Sequence, residues 1–328
     1  MAGRITEELR KPFIVEQREL YVAASIGISV GDIRTHDPDA LLREADTAMY
    51  RAKDEGGGFG MFDPAMYEQA FRRLEVENDL RRAIEQEEFV VHYQPIVPLN
   101  DDGEVRRIEA LVRWDHPERG LLDPDDFVPI AEDSGLVVPM GELVLERACR
   151  QAVEWQQQFP HTVPLRMCVN LSARQLSRPD LAETVEGVLG KTGLEGSRLT
   201  LDITETVYVK MLAANTMILD HLRKLGVRLS IDDFGTGYAS LSYLRRLPAD
   251  SLKIDKFFIK GFGYDHEDTA VVRMIIELAH TLSLEVIAEG VETEEQLTLL
   301  KEMGCDFAQG FYFSQPLPSE AVSGVLAG

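Results

Sequence analysis

The chain has 328 residues, 45% hydrophobic and 27% charged, which is typical of a globular protein with a sizeable core. That length is enough for a (β/α)8 barrel of about 250 residues and a small additional unit. The formal net charge of −22 argues against polymeric nucleic acid and anionic membrane surfaces as partners, because proteins that bind them usually carry a basic face. Abundant carboxylates remain compatible with Mg²⁺ and with a small anionic substrate whose charge such cations offset.

The amino-terminal third of the sequence offers few structural elements. It predicts one strand at 20–30 and one helix at 39–56, which together cannot close a hydrophobic core. The glycine-rich run at 56–60 is interpreted as a turn or linker, and a charged helix at 65–88 leads onward with a solvated face. We therefore divide the chain into an amino-terminal segment (1–63), the start of the linker helix (64–75) and a large domain (76–328).

From Phe89 onward, short β-rich runs alternate with longer amphipathic patterns such as 141–159 and 269–283. This alternation predicts a closed α/β barrel of the (β/α)8 TIM type, with a small partial α+β segment before it. Whether the first strand runs parallel or antiparallel to its neighbours stays open. The predicted strands are 89–97, 105–114, 165–173, 198–206, 227–235, 250–259, 284–292 and 307–314.

Polar side chains interrupt these apolar strands near their carboxyl ends, where the active sites of βα barrels lie. Taken singly, each is compatible with a helix cap or a paired charge. Together they favour metal binding, because charged groups within barrel strands are usually paired or bound to metal, and ligand sets of oxygen alone favour Mg²⁺ or Mn²⁺. The residues concerned are Glu109, Asn170, Asp202, Glu205, Asp232, Asp233, Lys253 and Glu289.

Lys253 has three interpretations at this stage. It is a paired core ion, a Schiff-base nucleophile, or a group that holds a water or phosphate oxygen beside metal ions. The surrounding acids favour the third interpretation over the Schiff base, because they would keep the ammonium charged and therefore a poor nucleophile.

Several segments in the large domain resemble the EAL family of cyclic di-GMP phosphodiesterases. IEALVRW at 108–114 is similar to the signature that names the family, and further similar blocks follow in family order. Those blocks are YQPI (93–96), FVPIAEDSGL (127–136), VNLSARQL (169–176), LDITET (201–206), 232–255, AEGVET (288–293) and QGFYFSQPLP (309–318).

The resemblance implies hydrolysis of cyclic di-GMP to linear pGpG with two Mg²⁺ or Mn²⁺ ions. The metal ligands that it implies are Glu109, Asn170, Asp202 and Asp232 for one ion, and Asp232 and Asp233 for the other. The catalytic group comprises Asp233, Lys253 and Glu289, the last two positioning the attacking water, with Glu205 bracing the loop after Asp233. The residues that match substrate-contacting positions are Gln94, Leu111, Arg113 and Gln309.

Asp202 departs from the family pattern, which has glutamate at this position. Aspartate is one methylene shorter, so its carboxylate either reaches the metal through a small shift or binds it through water, and weaker metal affinity is one of the expected consequences. A receptor that binds cyclic di-GMP without hydrolysing it is therefore the second hypothesis. A lysine aldolase acting through Lys253 is the third.

The segments at 22–30 and 41–56 resemble the carboxyl-terminal end of a GGDEF diguanylate cyclase domain. The sequence lacks the GGDEF signature and the nucleotide-binding half, so we expect no synthesis of cyclic di-GMP. The chain is then expected to be a fragment of a longer GGDEF–EAL protein.

The family resemblance also implies a homodimer through the EAL domain, in which the loop that contains Gly235 and Gly237 links interface and site. The two glycines make this loop capable of moving, and a flexible turn without a regulatory role is the alternative. No apolar run reaches the about 20 residues of a membrane span, and the sequence starts without a secretory signal. We expect a cytoplasmic chain without a membrane segment, although upstream domains of a longer protein would be able to anchor it.

Overall fold

The structure, a computed structural model, describes the chain except for short gaps. The described residues are 1–15, 18–31, 37–54, 57–100, 105–159, 165–214, 217–236 and 248–326. The chain forms two compact units, Met1–Asp79 and Leu80–Gly328. The boundaries expected after 63 and 75 stay predictions.

The first unit contains two small two-stranded sheets and three helices. Strands β1 and β2 form an antiparallel hairpin, whereas β3 and β4 pair in parallel with Ser25 opposite Gly58. The elements are α1 (Ala2–Leu9), β1 (Phe13–Val15), β2 (Arg18–Leu20), β3 (Ser25–Ile28), α2 (Pro38–Asp54), β4 (Gly58–Met61) and α3 (Pro64–Glu85), which extends into the second unit.

The interpretation of 56–60 as a linker is wrong, because most of this run belongs to β4. Gly60 in β4 and Gly27 in β3 allow close packing against α2. A Cβ on Gly60 would lie 2.8 Å from the carbonyl oxygen of Ala48, and one on Gly27 would lie 1.7 Å from that of Ala45. Because these positions have no side chain, the backbone of α2 approaches both strands. The first unit thus contains more regular structure than the single strand and single helix predicted from the sequence.

The second unit is a closed barrel of eight strands, as predicted. Strand β5 closes it by pairing antiparallel with β6 on one side and β13 on the other, so the first strand is the antiparallel one. A short strand, β7 (Gly120–Leu122), adds to β6. The barrel strands are β5 (Phe89–Pro98), β6 (Arg107–His116), β8 (Arg166–Asn170), β9 (Leu199–Thr204), β10 (Arg228–Phe234), β11 (Ser251–Ile254), β12 (Glu285–Ala288) and β13 (Phe307–Ala308).

Amphipathic helices cover the outside of the barrel. In α5, Val144, Ala148, Ala152 and Trp155 are buried on one face. None of the helices in the described part of the chain has the length and apolar character of a membrane span. The helices are α4 (Pro124–Ser134), α5 (Val137–Gln158), α6 (Ala173–Leu176), α7 (Leu181–Thr192), the 3-10 helix Gly196–Arg198, α8 (Glu205–Ala214), α9 (Met217–Lys224), α10 (Lys256–Gly261), α11 (His266–Thr281), α12 (Glu294–Glu302) and α13 (Ser319–Leu326).

Alternate residues of the barrel strands fill its interior in layers, as the two-residue period of a strand requires. Arginines and Glu285 contact one another at the amino-terminal end. A small apolar cluster of Ile96, Cys168 and Ile287 lies further along the strands. The polar side chains predicted from the sequence gather at the carboxyl end, so the fold places them together at one mouth of the barrel.

Alanine substitutions of Gly196 and Gly190 test how closely the backbone packs in the wall of the barrel. A Cβ on Gly196 would lie 2.0 Å from the carbonyl oxygen of Leu225, whereas a Cβ on Gly190, in α7, meets no atom within 4 Å. We expect Gly196→Ala to lower the free energy of unfolding by about 1–3 kcal/mol through overpacking. Gly190→Ala should raise it by up to about 1 kcal/mol through helix propensity. Urea unfolding of both variants is the measurement, and effects of equal sign would contradict this packing.

Candidate active site

Residues from eight barrel strands and their following loops form one polar cluster at the carboxyl mouth. Several lie on the strands themselves, and Glu289 and Gln309 directly follow β12 and β13. Glu205 begins α8. The strand residues of the cluster are Gln94 (β5), Glu109 (β6), Asn170 (β8), Asp202 (β9), Asp232 and Asp233 (β10) and Lys253 (β11).

Lys253 is the centre of the cluster, with only 1% of its side chain exposed. Its Nζ contacts a carboxylate oxygen from each of four other strands or strand ends. The distances are 2.6 Å to Glu289 Oε1, 3.2 Å to Asp202 Oδ2, 3.3 Å to Glu109 Oε1 and 3.5 Å to Asp232 Oδ2. One ammonium therefore faces four carboxylates, which leaves an excess of negative charge in a buried place.

The pKa values of the cluster reflect this excess. Burial lowers the pKa of Lys253, but the charges of Asp202, Asp232 and the other acids outweigh burial and raise it well above its usual value. Burial also raises the pKa of Asp202 to about 7 and that of Glu289 well above its ordinary range. Lys253 thus stays an ammonium, which removes the basis for a Schiff-base aldolase.

Glu109 is held by hydrogen bonds on both of its oxygens. Asn170 Nδ2 donates to Oε1 at 2.7 Å, and Gln309 Nε2 donates to Oε2 at 2.6 Å. Gln309 Nε2 also donates to Gln94 Oε1 at 2.9 Å. Burial raises the pKa of Glu109, but the Lys253 charge and these hydrogen bonds outweigh burial, so that its pKa is lowered overall. Glu109 is therefore an ionised carboxylate in a fixed orientation.

The loop after β10 starts in an unusual backbone conformation. Asp233 has a φ of 53°, and its N–H donates to Asp232 Oδ1 at 2.9 Å. Burial and the Asp232 charge raise the pKa of Asp233 to about 6. Glu205 Oε2 accepts a hydrogen bond from the Gly235 N–H at 2.8 Å, as a bracing residue would. Gly237 lies outside the described residues, so the role of this loop at an interface stays a prediction.

The carboxylate oxygens converge closely enough to hold a divalent cation. The cluster contains two groups of acids whose oxygens lie within 4.8 Å of one another, Glu109–Asp202–Asp232 and Asp232–Asp233–Glu289. Both Asp202 oxygens are buried; Oδ2 lies 3.2 Å from the Lys253 ammonium, and Oδ1 accepts no hydrogen bond among the described residues. A buried carboxylate oxygen without a partner in an all-oxygen set fits Mg²⁺ or Mn²⁺.

A cleft of about 390 Å³ opens above these residues. Gln94, Leu111 and Gln309 line it as predicted from the sequence, but Arg113 does not. The Arg113 Nε instead pairs with Asp123 Oδ1 at 3.1 Å. The complete lining is Gln94, Glu109, Leu111, Asn170, Asp232, Lys256, Glu289, Gly290, Glu292, Gln309, Gly310 and Phe311.

Sequence reasoning missed five of the lining residues. Gly290 and Gly310 directly follow predicted site residues, and the other three lie two or three positions after one, which was the available signal. The five residues are Lys256, Gly290, Glu292, Gly310 and Phe311.

Comparison with known proteins gives relatives along the whole chain. MucR of Pseudomonas aeruginosa, named a bifunctional diguanylate cyclase/cyclic di-GMP phosphodiesterase, is 42% identical over 100% of this chain and 47% of MucR. Cyclic di-GMP phosphodiesterase PdeR of Escherichia coli is 39% identical over 98% of this chain and 48% of PdeR. The chain thus spans about half the length of these curated relatives.

Solved structures agree with this comparison. The cyclic di-GMP complex of the PaMucR phosphodiesterase has a TM-score of 0.71 at 44% identity and covers 76% of this chain and 99% of that chain. The EAL enzyme Bd1971, bound to cAMP and cyclic di-GMP, has a TM-score of 0.75 at 31% identity and covers 89% of this chain and 77% of that chain.

Two family models match the chain. The model of the diguanylate cyclase GGDEF domain matches residues 1–58, which confirms the resemblance of the amino-terminal segment to part of that domain. The EAL domain model matches residues 77–316, which include every residue of the cluster. The chain belongs to the EAL domain family and carries a fragment of a GGDEF domain at its amino terminus.

Proposed function

We propose that this chain hydrolyses cyclic di-GMP to linear pGpG in the cleft, with two Mg²⁺ or Mn²⁺ ions. The observation that carries the proposal is the buried Lys253 ammonium among four carboxylates at the carboxyl mouth of an EAL barrel. The names of MucR and PdeR as phosphodiesterases, and a structural neighbour in complex with cyclic di-GMP, support the choice of substrate.

The acids divide into two overlapping sets of ligands. Glu109, Asn170, Asp202 and Asp232 would hold one ion, while Asp232 and Asp233 would hold the other. When bound, the ions would offset the phosphodiester charge and lower the pKa of a water in the site. A carboxylate shared between the two sets is the usual arrangement for paired ions, and Asp232 belongs to both groups of converging oxygens.

Lys253 and Glu289 would position the attacking water. Their Nζ and Oε1 atoms are 2.6 Å apart, so a water beside this pair meets a hydrogen-bond donor and an acceptor. Lys253 would donate to the water oxygen, and an ionised carboxylate of Glu289 would accept the water proton. As the water oxygen bonds to phosphorus, the bond between phosphorus and the ribose O3′ breaks, and the O3′ leaves and takes up a proton from solvent. Burial raises the pKa of Glu289 well above its ordinary range, so the positive charges of Lys253 and of bound cations would be needed to keep it ionised before the water attacks.

The cleft walls suit a guanine dinucleotide. Leu111 offers an apolar surface, and Gln94 and Gln309 offer amide groups to the substrate. Arg113 would have to leave its ion pair with Asp123 before contacting a ligand. From the family resemblance we also propose a homodimer through the barrel domain and a cytoplasmic location.

The receptor function is the second candidate, and Asp202 is the observation that favours it. Despite its shorter side chain, however, Asp202 Oδ2 reaches within 3.2 Å of Lys253 Nζ and joins the group with Glu109 and Asp232. This reach favours hydrolysis. Asp202→Glu separates the two functions, because a receptor should gain turnover that the unmodified protein lacks.

Glu109→Gln should lower the rate of pGpG formation at least about 100-fold, because it removes a charged ligand at the reacting phosphate. Chromatography of reactions with cyclic di-GMP and Mn²⁺ is the measurement. Glu277→Gln, on the exposed face of α11, makes the same chemical change away from the cleft and should keep full activity. If the unmodified protein binds the nucleotide but forms no pGpG, hydrolysis is rejected.

Asp202→Asn should stabilise the metal-free protein by about 0.5–2 kcal/mol, as removal of a strained functional group often does. The pKa of Asp202 is raised, so its ionised form at about pH 8 is less favourable in the folded than in the unfolded chain. The variant should also lose most of the rise in melting temperature that Mn²⁺ causes. Thermal melts with EDTA and with Mn²⁺ measure both effects.

Asp220→Asn, on the exposed side of α9, is the control and should keep the rise in melting temperature with Mn²⁺; because Asp220 lies in the first turn of the helix, the substitution should lower stability by at most about 1 kcal/mol, opposite in sign to Asp202→Asn. A metal-free Asp202→Asn protein that melts below the unmodified one would show that Asp202 stabilises the fold, contrary to this expectation.

Glu205→Ala should lower turnover about 10- to 100-fold, the usual cost of losing a group that orients metal ligands. Its carboxylate fixes the Gly235 N–H and does not belong to either ligand group. The rise in melting temperature with Mn²⁺ should therefore persist. Glu205→Gln retains an oxygen that accepts this hydrogen bond and should restore most of the turnover, whereas equal loss in both variants would indicate that the charge itself is needed.

A further inference from the structure

A second charged cluster lies at the opposite end of the barrel from the cleft. Arg107, Arg166 and Arg228 begin β6, β8 and β10, and Glu285 begins β12. Strands β6, β8, β10 and β12 are not all adjacent in the sheet. Side chains from all four strands can therefore meet only in the interior of the barrel. We call this group the arginine floor.

The arginine floor has more positive than negative charge among the described residues. All three guanidiniums converge on one carboxylate oxygen, Glu285 Oε2. Arg107 hydrogen-bonds to it, whereas Arg166 Nη1 and Arg228 Nη1 lie 3.8 Å away, too far for a hydrogen bond. Three guanidiniums against one carboxylate leave two positive charges in a chain whose net charge is −22.

Two arginine side chains of the floor are partly exposed to solvent, whereas that of Arg107 is buried. The Arg107 side chain is 4% exposed, and its guanidinium carbon lies 4.0 Å from the ring centre of Phe307. Arg166 and Arg228 are 27% and 35% exposed. Burial and the charges of Arg107 and Arg228 lower the pKa of Arg166, which agrees with too little negative charge nearby. A solvent-borne anion can therefore reach a preorganised set of donors.

We propose that the arginine floor binds a phosphate group, either as inorganic phosphate or as the terminal phosphate of a nucleotide. Arginine forks match phosphate oxygens in pairs, and a dianion matches the two uncompensated charges. Glu285 already supplies the single carboxylate that the cluster holds. The proposal does not rest on hydrolysis in the cleft, because no residue of the floor belongs to that site.

The test uses the whole chain in EDTA, where the acidic cleft repels anions. Inorganic phosphate should raise the melting temperature by about 2 to 6 °C over sodium chloride at equal ionic strength. The double variant Arg166→Gln/Arg228→Gln should lose this rise. Arg150→Gln/Arg178→Gln removes two exposed arginines from helical and loop surfaces and should keep the full rise.

Isothermal titration of the unmodified protein gives a readout that does not depend on how the variants fold. Phosphate and GMP are titrated separately in EDTA. Equal affinities identify the phosphate group alone as the ligand, and tighter binding of GMP that requires Arg166 and Arg228 identifies a nucleotide. Arg166→Lys/Arg228→Lys keeps the charge but loses the forks, so it should bind phosphate about 10-fold more weakly. Absence of phosphate binding, or binding that survives Arg166→Gln/Arg228→Gln, overturns the proposal and leaves a purely structural ion network.

Discussion

The burial of one lysine ammonium among four carboxylates is the interaction on which the rest of this protein depends. Charges taken out of water are costly unless they are paired, and Lys253 neutralises only part of the negative charge around it. Burial, and after it the charges of Asp232 and Glu109, raise the pKa values of Asp202 and Glu289. Such a cluster persists because a closed barrel with a large apolar core holds the strands in register, and the proposed divalent cations would supply the positive charge that the cluster lacks.

The interior layers of the barrel separate opposite charges. Acids occupy the carboxyl mouth and arginines the floor, while Ile96, Cys168 and Ile287 form an apolar cluster within the barrel. On β6, Arg107 and Glu109 are successive inward residues, so the two charged layers lie only about 7 Å apart along that strand. The floor therefore offsets part of the field of the acids without contributing a group to the cleft.

The barrel and its acidic cluster were predictable because both follow from local patterns. Strand periodicity gave the eight strands, and polar interruptions near the strand ends gave the acids, since parallel strands bring their carboxyl ends together. Strand β4 was not predicted, because a glycine-rich run is typical both of turns and of strands that pack closely against a helix. Arg113 is held by its ion pair with Asp123, and the arginine floor forms around Glu285. Neither arrangement was predictable from local patterns, because only the folded chain brings these partners together.

Asp202 shows how the fold accommodates a departure from the family pattern. Backbone pairing sets Asp202 beside Asn170 on β8 and Ser230 on β10, so its Cα cannot shift toward the metal without disturbing two ladders. Its carboxylate nevertheless contacts Lys253 at 3.2 Å. Among the described residues no hydrogen bond orients Asp202 Oδ1, whereas Glu109 is held on both oxygens. Under the proposed function, Asp202 would therefore be the ligand whose position depends most on the cation, and Glu109 and Lys253 would fix the geometry of the reacting groups.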